Sequence, residues 1–186
     1  MSSNPKPCLA AKSSILRGCA AGLVLAIAAC SQGPRPAPRP ITILVPSAAA
    51  SLSSALYMQL ASNAALFAVR ASELAEQRST NQGLLADARE IAADQRGIGG
   101  QLSYAGRRLD LLPRADLPGA MLDDLERLNR SPDFDRDYRR LVGTALSRAL
   151  EAHQIFARGG SSATLRPVAA MAAPVTQRNL ARIRGR

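Results

Sequence analysis

Residues 82–109 read Gln82-Gly-Leu-Leu-Ala-Asp-Ala-Arg-Glu-Ile-Ala-Ala-Asp-Gln-Arg-Gly-Ile-Gly-Gly-Gln-Leu-Ser-Tyr-Ala-Gly-Arg-Arg-Leu109. Leu84, Ala88, Ile91, Gln95, Ile98, Leu102, Ala105 and Leu109 recur at alternating intervals of four and three. That period places side chains on one face of an α-helix. Gln95 is the one polar member of the stripe. Thr80 or Asn81 stands where a side-chain oxygen can cap the first turn. Gly97, Gly99 and Gly100 each weaken a helix by about 1 kcal/mol relative to Ala. Their presence implies a close helix approach or a bend.

The same spacing extends in both directions. Residues 52–77 predict a first helix, capped by Ser51 or Ser53, with Leu56, Leu60, Phe67, Ala71 and Leu74 on one face. Leu112-Pro113 ends the second helix, because the residue before proline avoids the helical region. Asp116 then caps a short helix over 118–129. That helix turns Leu122, Leu125 and Leu128 inward and pairs Asp123 with Arg127 and Glu126 with Arg130. Ser131 followed by Pro132 predicts another start. A fourth helix over 132–158 carries Phe134, Tyr138, Leu141, Ala145, Ala149, Ala152 and Phe156 on one side. Gly159-Gly160 ends it, and Ser161 or Ser162 caps a last helix to about residue 183. Its stripe is Leu165, Ala169, Ala172, Thr176 and Leu180, and Pro174 inside it predicts a kink. Four long helices and one short helix in the central connection define an all-α four-helix bundle over residues 52–184.

The N-terminal segment has a different logic. Lys6, Lys12 and Arg17 precede an apolar stretch, Ala20 to Ala29, which runs into Ile27-Ala28-Ala29-Cys30. Charged region, apolar core and small-residue cleavage site follow in that order. The core is about half the length a membrane span needs. The segment resembles a bacterial lipoprotein signal. That resemblance implies cleavage between Ala29 and Cys30, removal of residues 1–29, and a covalent lipid on Cys30 as the one expected attached group, with no other cofactor. Residues 30–51 then form a tether. Alternating proline at its start favours polyproline II, which would extend it to about 60 Å. Ile41 to Val45 is an apolar island within it.

Cleavage would leave Cys30 as the only cysteine, so packing rather than a disulfide must hold the fold. The whole chain has a formal charge of +10. Beyond residue 29 every cation is arginine, mostly interleaved with acids. Trp is absent and aromatic residues make up 3% of the chain, which argues against stacking on nucleic acid. The acid-free C-terminal set Arg178, Arg182, Arg184 and Arg186 is the candidate contact for an anionic surface.

The order of segments resembles the bacterial envelope family known as domain of unknown function 4142, placed with ferritin-like four-helix bundles. The matching stretches are Tyr57-Met-Gln-Leu-Ala, Ala71-Ser-Glu-Leu-Ala-Glu-Gln-Arg, Ala88-Arg-Glu-Ile-Ala-Ala-Asp-Gln95, Leu111-Leu-Pro, Phe134-Asp-Arg-Asp-Tyr138, His153-Gln-Ile-Phe-Ala, and Leu165 through Pro174-Val to Leu180. The resemblance implies a ferritin-like bundle and fits a signal peptide with a lipid anchor. The family pattern has an acid where Ala68 stands and Asp-His where this chain has Asp94-Gln95. It has histidines where Leu146 and Asn179 stand.

Those departures shape the functional expectation. A ferritin-type metal site needs carboxylates and Glu-x-x-His on facing helices, and this chain has no Glu-x-x-His. Asp94, Gln95 and His153 are the remaining weak metal candidates. His153, the lone histidine, is expected half-buried on the surface of the fourth helix. Gln95 is expected to hydrogen-bond across the core to Asn179 or a backbone group. Asp87, Glu90 and Asp94 form an acidic face on the second helix. No nucleophile motif or phosphate loop is present, so no catalytic residue is assigned. The leading expectation is a non-enzymatic lipoprotein of the cell envelope, at the outer membrane and facing the periplasm. It would bind the membrane through its lipid and bind or space an envelope protein or polysaccharide, not nucleic acid. The alternative is a ferritin-like metal-binding or redox protein.

Overall fold

A computed structural model describes residues 52–185. The expected signal (1–29), tether (30–51), Ser51 cap and Arg186 lie outside the described residues.

Five helices follow one another: α1 (Ser54–Arg78), α2 (Gln82–Arg107), α3 (Gly119–Arg130), α4 (Phe134–Gly159) and α5 (Leu165–Arg184). No strand occurs among the described residues. Ser53 caps α1, its Oγ accepting from the Leu56 amide at 3.2 Å. Asn81 does the same for α2 at the Leu84 amide, 3.1 Å. Both supply an acceptor to first-turn amides that have no partner within the helix.

The long helices form a ring in the order α1, α2, α5, α4, with each helix packed on its two ring neighbours. Glu76 pairs with Arg89 and Glu73 with Arg96, so α1 and α2 are antiparallel. Ser72 meets Tyr138 and Tyr57 meets His153, so α1 and α4 are antiparallel as well. Therefore α2 and α4 point the same way. The chain must travel the length of the bundle between them, and α3 carries it back along the α1–α4 seam. One crossover of this kind is the ferritin-type topology.

The core follows the expected stripes of α2, α4 and α5 closely. Leu84, Ala88, Ile91, Gln95, Ile98, Leu102 and Ala105 of α2 are all buried. So are the seven expected residues of α4 and the five of α5. The α5 helix runs on through Pro174, and Ser162 Oγ accepts from the Leu165 amide at 3.3 Å.

In α1 Phe67 and Ala71 are buried as expected and Leu74 packs against the core, but the first half of the expected face is displaced. Leu56 and Leu60 are 45% and 39% exposed. Tyr57, Met58, Ala61, Ala64, Ala65, Ala68 and Ala75 complete the buried face. Small side chains let α1 approach two neighbours closely, and the leucines are left on its edge. In α3 Leu122 is exposed, while Met121, Leu125 and Leu128 pack inward. Asp124, not Asp123, pairs with Arg127, and Glu126 pairs with Arg130 as expected. Pro118 rather than Asp116 occupies the cap position of α3, with no side-chain cap bond. The α4 helix begins two residues later than expected. Ser131 still organises its start, because its Oγ accepts from the Asp133 amide and donates to Asp137 Oδ2 at 2.8 Å. That bond, with Arg140 and Arg136 nearby, holds the half-buried Asp137 carboxyl below its usual pKa.

The glycines divide by function. A Cβ on Gly97, Gly99 or Gly100 would meet nothing within 4 Å, so these residues serve no close helix contact inside the fold. A Cβ on Gly106 would clash with the Leu111 carbonyl oxygen. The Gly106 carbonyl accepts from the Leu109 and Leu111 amides in the turn that ends α2. Gly97→Ala combined with Gly100→Ala should raise the stability of the bundle by about 2 kcal/mol. Gly106→Ala should lower it. Urea midpoints of the two variants moving in the same direction would contradict this division.

Candidate functional site

Polar side chains enter the core at three levels. At one end Tyr57 of α1 and His153 of α4 are both buried, with Tyr57 OH 3.0 Å from His153 Nδ1. The Tyr57 ring stacks on Phe156 at 4.2 Å and meets the imidazole edge-on at 5.7 Å. The expected half-buried surface histidine is thus a core residue, 1% exposed. Position 153 lies on the α4 face turned to α1, where the Tyr57 hydroxyl meets its hydrogen-bonding need. The shared face with Phe156 at i,i+3 was the sequence signal for this burial. Desolvation pushes the His153 pKa down to about 4 and raises that of Tyr57 well above its ordinary value.

At the other end Ser72 Oγ donates to the Ala68 carbonyl at 2.8 Å. Its single proton is then committed, so the Tyr138 hydroxyl, 2.9 Å away, must be the donor to Ser72 Oγ. Burial pushes the Tyr138 phenol up to about 12; the Ser72 bond opposes the shift and the nearby Asp87 carboxylate adds to it. Asp87 is itself buried in α2.

Between these levels lie Gln95 of α2 and Thr176 and Asn179 of α5. Gln95 Nε2, Thr176 Oγ1 and Asn179 Nδ2 are buried and have no hydrogen-bond partner. Asn179 Oδ1 accepts from Arg182 at 3.4 Å, which fixes the amide with its nitrogen away from that arginine. The expected Gln95–Asn179 hydrogen bond is therefore not formed. Ala68, Gln95, Leu146 and Asn179, the four positions where this chain departs from the resembled pattern, are each at most 1% exposed. Ala68 and Leu146 lie in one apolar cluster, and the amides belong to the facing pair α2 and α5.

The weak metal candidates are not brought together. His153 is bound to Tyr57, Gln95 is buried at mid-bundle, and Asp94 lines an open groove between α2 and α5 with Gly97, Ile98, Met171 and Val175. Glu90 turns towards Arg182 at 3.9 Å, while Asp87 interacts with Tyr138, so the acidic face is divided. Among the described residues no three His, Cys, Asp or Glu side chains converge. This donor set does not fit a carboxylate-bridged metal centre. The C-terminal arginines are divided too. Arg182 turns to Glu90 and Asn179, Arg184 bonds Ser147 Oγ at 3.1 Å, and Arg178 is exposed.

Fold and core define an all-α bundle protein with one crossover and polar side chains set into its interior. The chain belongs to the family described as a domain of unknown function (DUF4142), whose model matches residues 44–185. No curated protein and no solved structure matches the chain.

Two measurements test the polar core. The His153 pKa is about 4 in the fold against 6.5 when unperturbed. The unfolded chain therefore binds the extra proton first as pH falls. Stability is full above about pH 6.5 and declines by about 3 kcal/mol as pH drops to about 4. Chemical denaturation at a series of pH values should show that decline in the native chain and lose most of it in His153→Gln. Separately, Asn179→Leu should stabilise the bundle by about 1 kcal/mol, because it replaces an unmatched buried amide with an apolar side chain of the same branched shape. Destabilisation by more than about 2 kcal/mol would mean that the Asn179 amide is fully bonded in solution.

Proposed function

We propose that this protein is a lipid-anchored helical-bundle lipoprotein of the bacterial cell envelope, facing the periplasm at the outer membrane, and that it works by binding or spacing an envelope partner rather than by catalysis. The observation that carries the reading is the sequence Ile27-Ala28-Ala29-Cys30 behind a basic, then apolar, segment. Cys30 would hold the lipid, and residues 30–51 would join it to the bundle. A binding role is supported by the Tyr57–His153 pair, which is buried and hydrogen-bonded within itself rather than presented to solvent. No described helix is long and apolar enough to cross a membrane, so stable attachment would depend on the anchor.

A metal-binding or redox role is the second reading, favoured by the one-crossover topology alone. Fold without a matching donor set is a weak warrant, and the separation of Asp94, Gln95 and His153 places it second.

Cys30→Ser should leave the bundle folded and move the protein from membranes washed in about 1 M salt, which screens charge contacts, to the soluble envelope fraction. Retention of that variant in salt-washed membranes, with its signal removed, would overturn the anchor. Stoichiometric iron or manganese in the purified native chain would transfer support to the second reading.

A further inference from the structure

Charge is distributed unevenly between the two sides of the bundle. Residues 52–137, which form α1 to α3 and the first turn of α4, hold ten arginines and thirteen acids. Residues 138–184 hold eight arginines and one acid, Glu151. The second set occupies α4 and α5, which pack side by side, so the excess is gathered on one side of the molecule.

Five of the ten arginines of the acid-rich side are in ion pairs. Arg89 and Arg96 pair with Glu76 and Glu73, and Arg127 and Arg130 pair with Asp124 and Glu126. On α4 and α5 the exposed Arg158, Arg166, Arg178 and Arg184 make no ion pair among the described residues, whereas Arg148 lies on the α3 side of α4, in the groove with Met121 and Asp124. Between them α5 exposes Ala170, Met171 and Ala181, short or apolar side chains, and of these arginines Arg184 alone donates to a neighbouring side chain, the neutral Ser147 hydroxyl. The aromatic rings of α4 are all buried, and α5 has none, so this side offers no ring to stack on a sugar or a base. Guanidinium forks without aromatic neighbours suit phosphate oxygens, and an acid-free helix with apolar residues between its cations suits a headgroup layer.

We propose that the α4–α5 side is a docking surface for an anionic phospholipid bilayer. Arg158, Arg166, Arg178 and Arg184 contact its phosphates. The surface includes two of the C-terminal arginines singled out in the sequence and extends beyond them to α4. It acts independently of the lipid anchor, and the test uses the chain without that anchor.

The full chain carrying Cys30→Ser is mixed with vesicles of phosphatidylglycerol and phosphatidylcholine in equal parts, or of phosphatidylcholine alone, and sedimented. Binding to the anionic vesicles only is expected, with release at about 1 M salt, where charges are screened within about 3 Å. Replacing Arg158, Arg166 and Arg178 together by Gln should weaken binding about a hundredfold, at about fivefold for each cation near the surface. The same three changed to Lys should keep most of it. Changing Arg89, Arg96 and Arg127 to Gln alters net charge equally and should leave binding within about twofold. Helical circular dichroism on each variant separates loss of binding from loss of fold. Equal weakening by the two Gln triples would overturn the α4–α5 surface in favour of net charge. Failure to bind anionic vesicles while binding a soluble acidic polysaccharide would overturn the bilayer as the partner. Neither result bears on Cys30.

Discussion

The shared direction of α2 and α4 constrains everything else in this bundle. Two parallel helices cannot be joined by a tight turn, so about a bundle length of chain must return between them. That return contains α3, laid over the α1–α4 seam. Its ends are fixed by polar contacts. The Arg78 guanidinium donates to the Asn129 and Ser131 carbonyls, and Ser131 links the end of α3 to the start of α4 through Asp133 and Asp137. The crossover also decides what stays exposed. It covers the seam from Phe67, beside Met121, down to Arg78. Leu56 and Leu60 precede that stretch and remain partly in solvent.

How much of this was legible in the sequence depended on side-chain size. In α2, α4 and α5 large apolar residues alternate with alanine along one stripe, so period and burial agree. In α1 the buried stripe is mostly alanine, and the larger leucines at 56 and 60 drew the face off its true direction. Hydrophobicity rewards bulk, whereas the distance between closely packed helices is set by smallness. His153 went astray for a related reason. Its burial depends on one hydroxyl, Tyr57 OH, which lies 96 residues away in sequence and becomes a neighbour only once α1 and α4 are antiparallel. Asp124 replaced Asp123 as the partner of Arg127 because i,i+3 and i,i+4 are almost equivalent on a helix.

The interior polar groups make a coherent set. Near the ends of the bundle, Tyr57 with His153 and Ser72 with Tyr138 join α1 to α4 by neutral hydrogen bonds. In the middle, Gln95, Thr176 and Asn179 lie between α2 and α5 with atoms that find no partner. The first pair of helices is therefore held by specific polar geometry as well as by packing. The second depends more on alanine-rich contact and carries the energetic cost of unmatched amides. Ala68 and Leu146 complete the middle layer with apolar surface. With an alanine, a leucine and two amides, these four positions bring no charge into the middle layer.

Surface charge follows a different rule from the core. In α3 and at the start of α4, acids stand three or four residues from arginines and pair with them. The α5 helix has no acid, so it gains nothing from such pairs. Arg182 and Arg184 at its C-terminal end suit the negative pole of the helix dipole, but Arg166 stands in the first turn, where a cation opposes the positive pole. Its exposed arginines therefore contribute little to holding the helix in place, and Arg166 works slightly against it. Stability of α5 comes from Leu165, Ala169, Ala172, Thr176, Leu180 and Ile183 on the opposite side. A helix whose packing and charge are so separated can present cations to an external partner without weakening its attachment to the bundle.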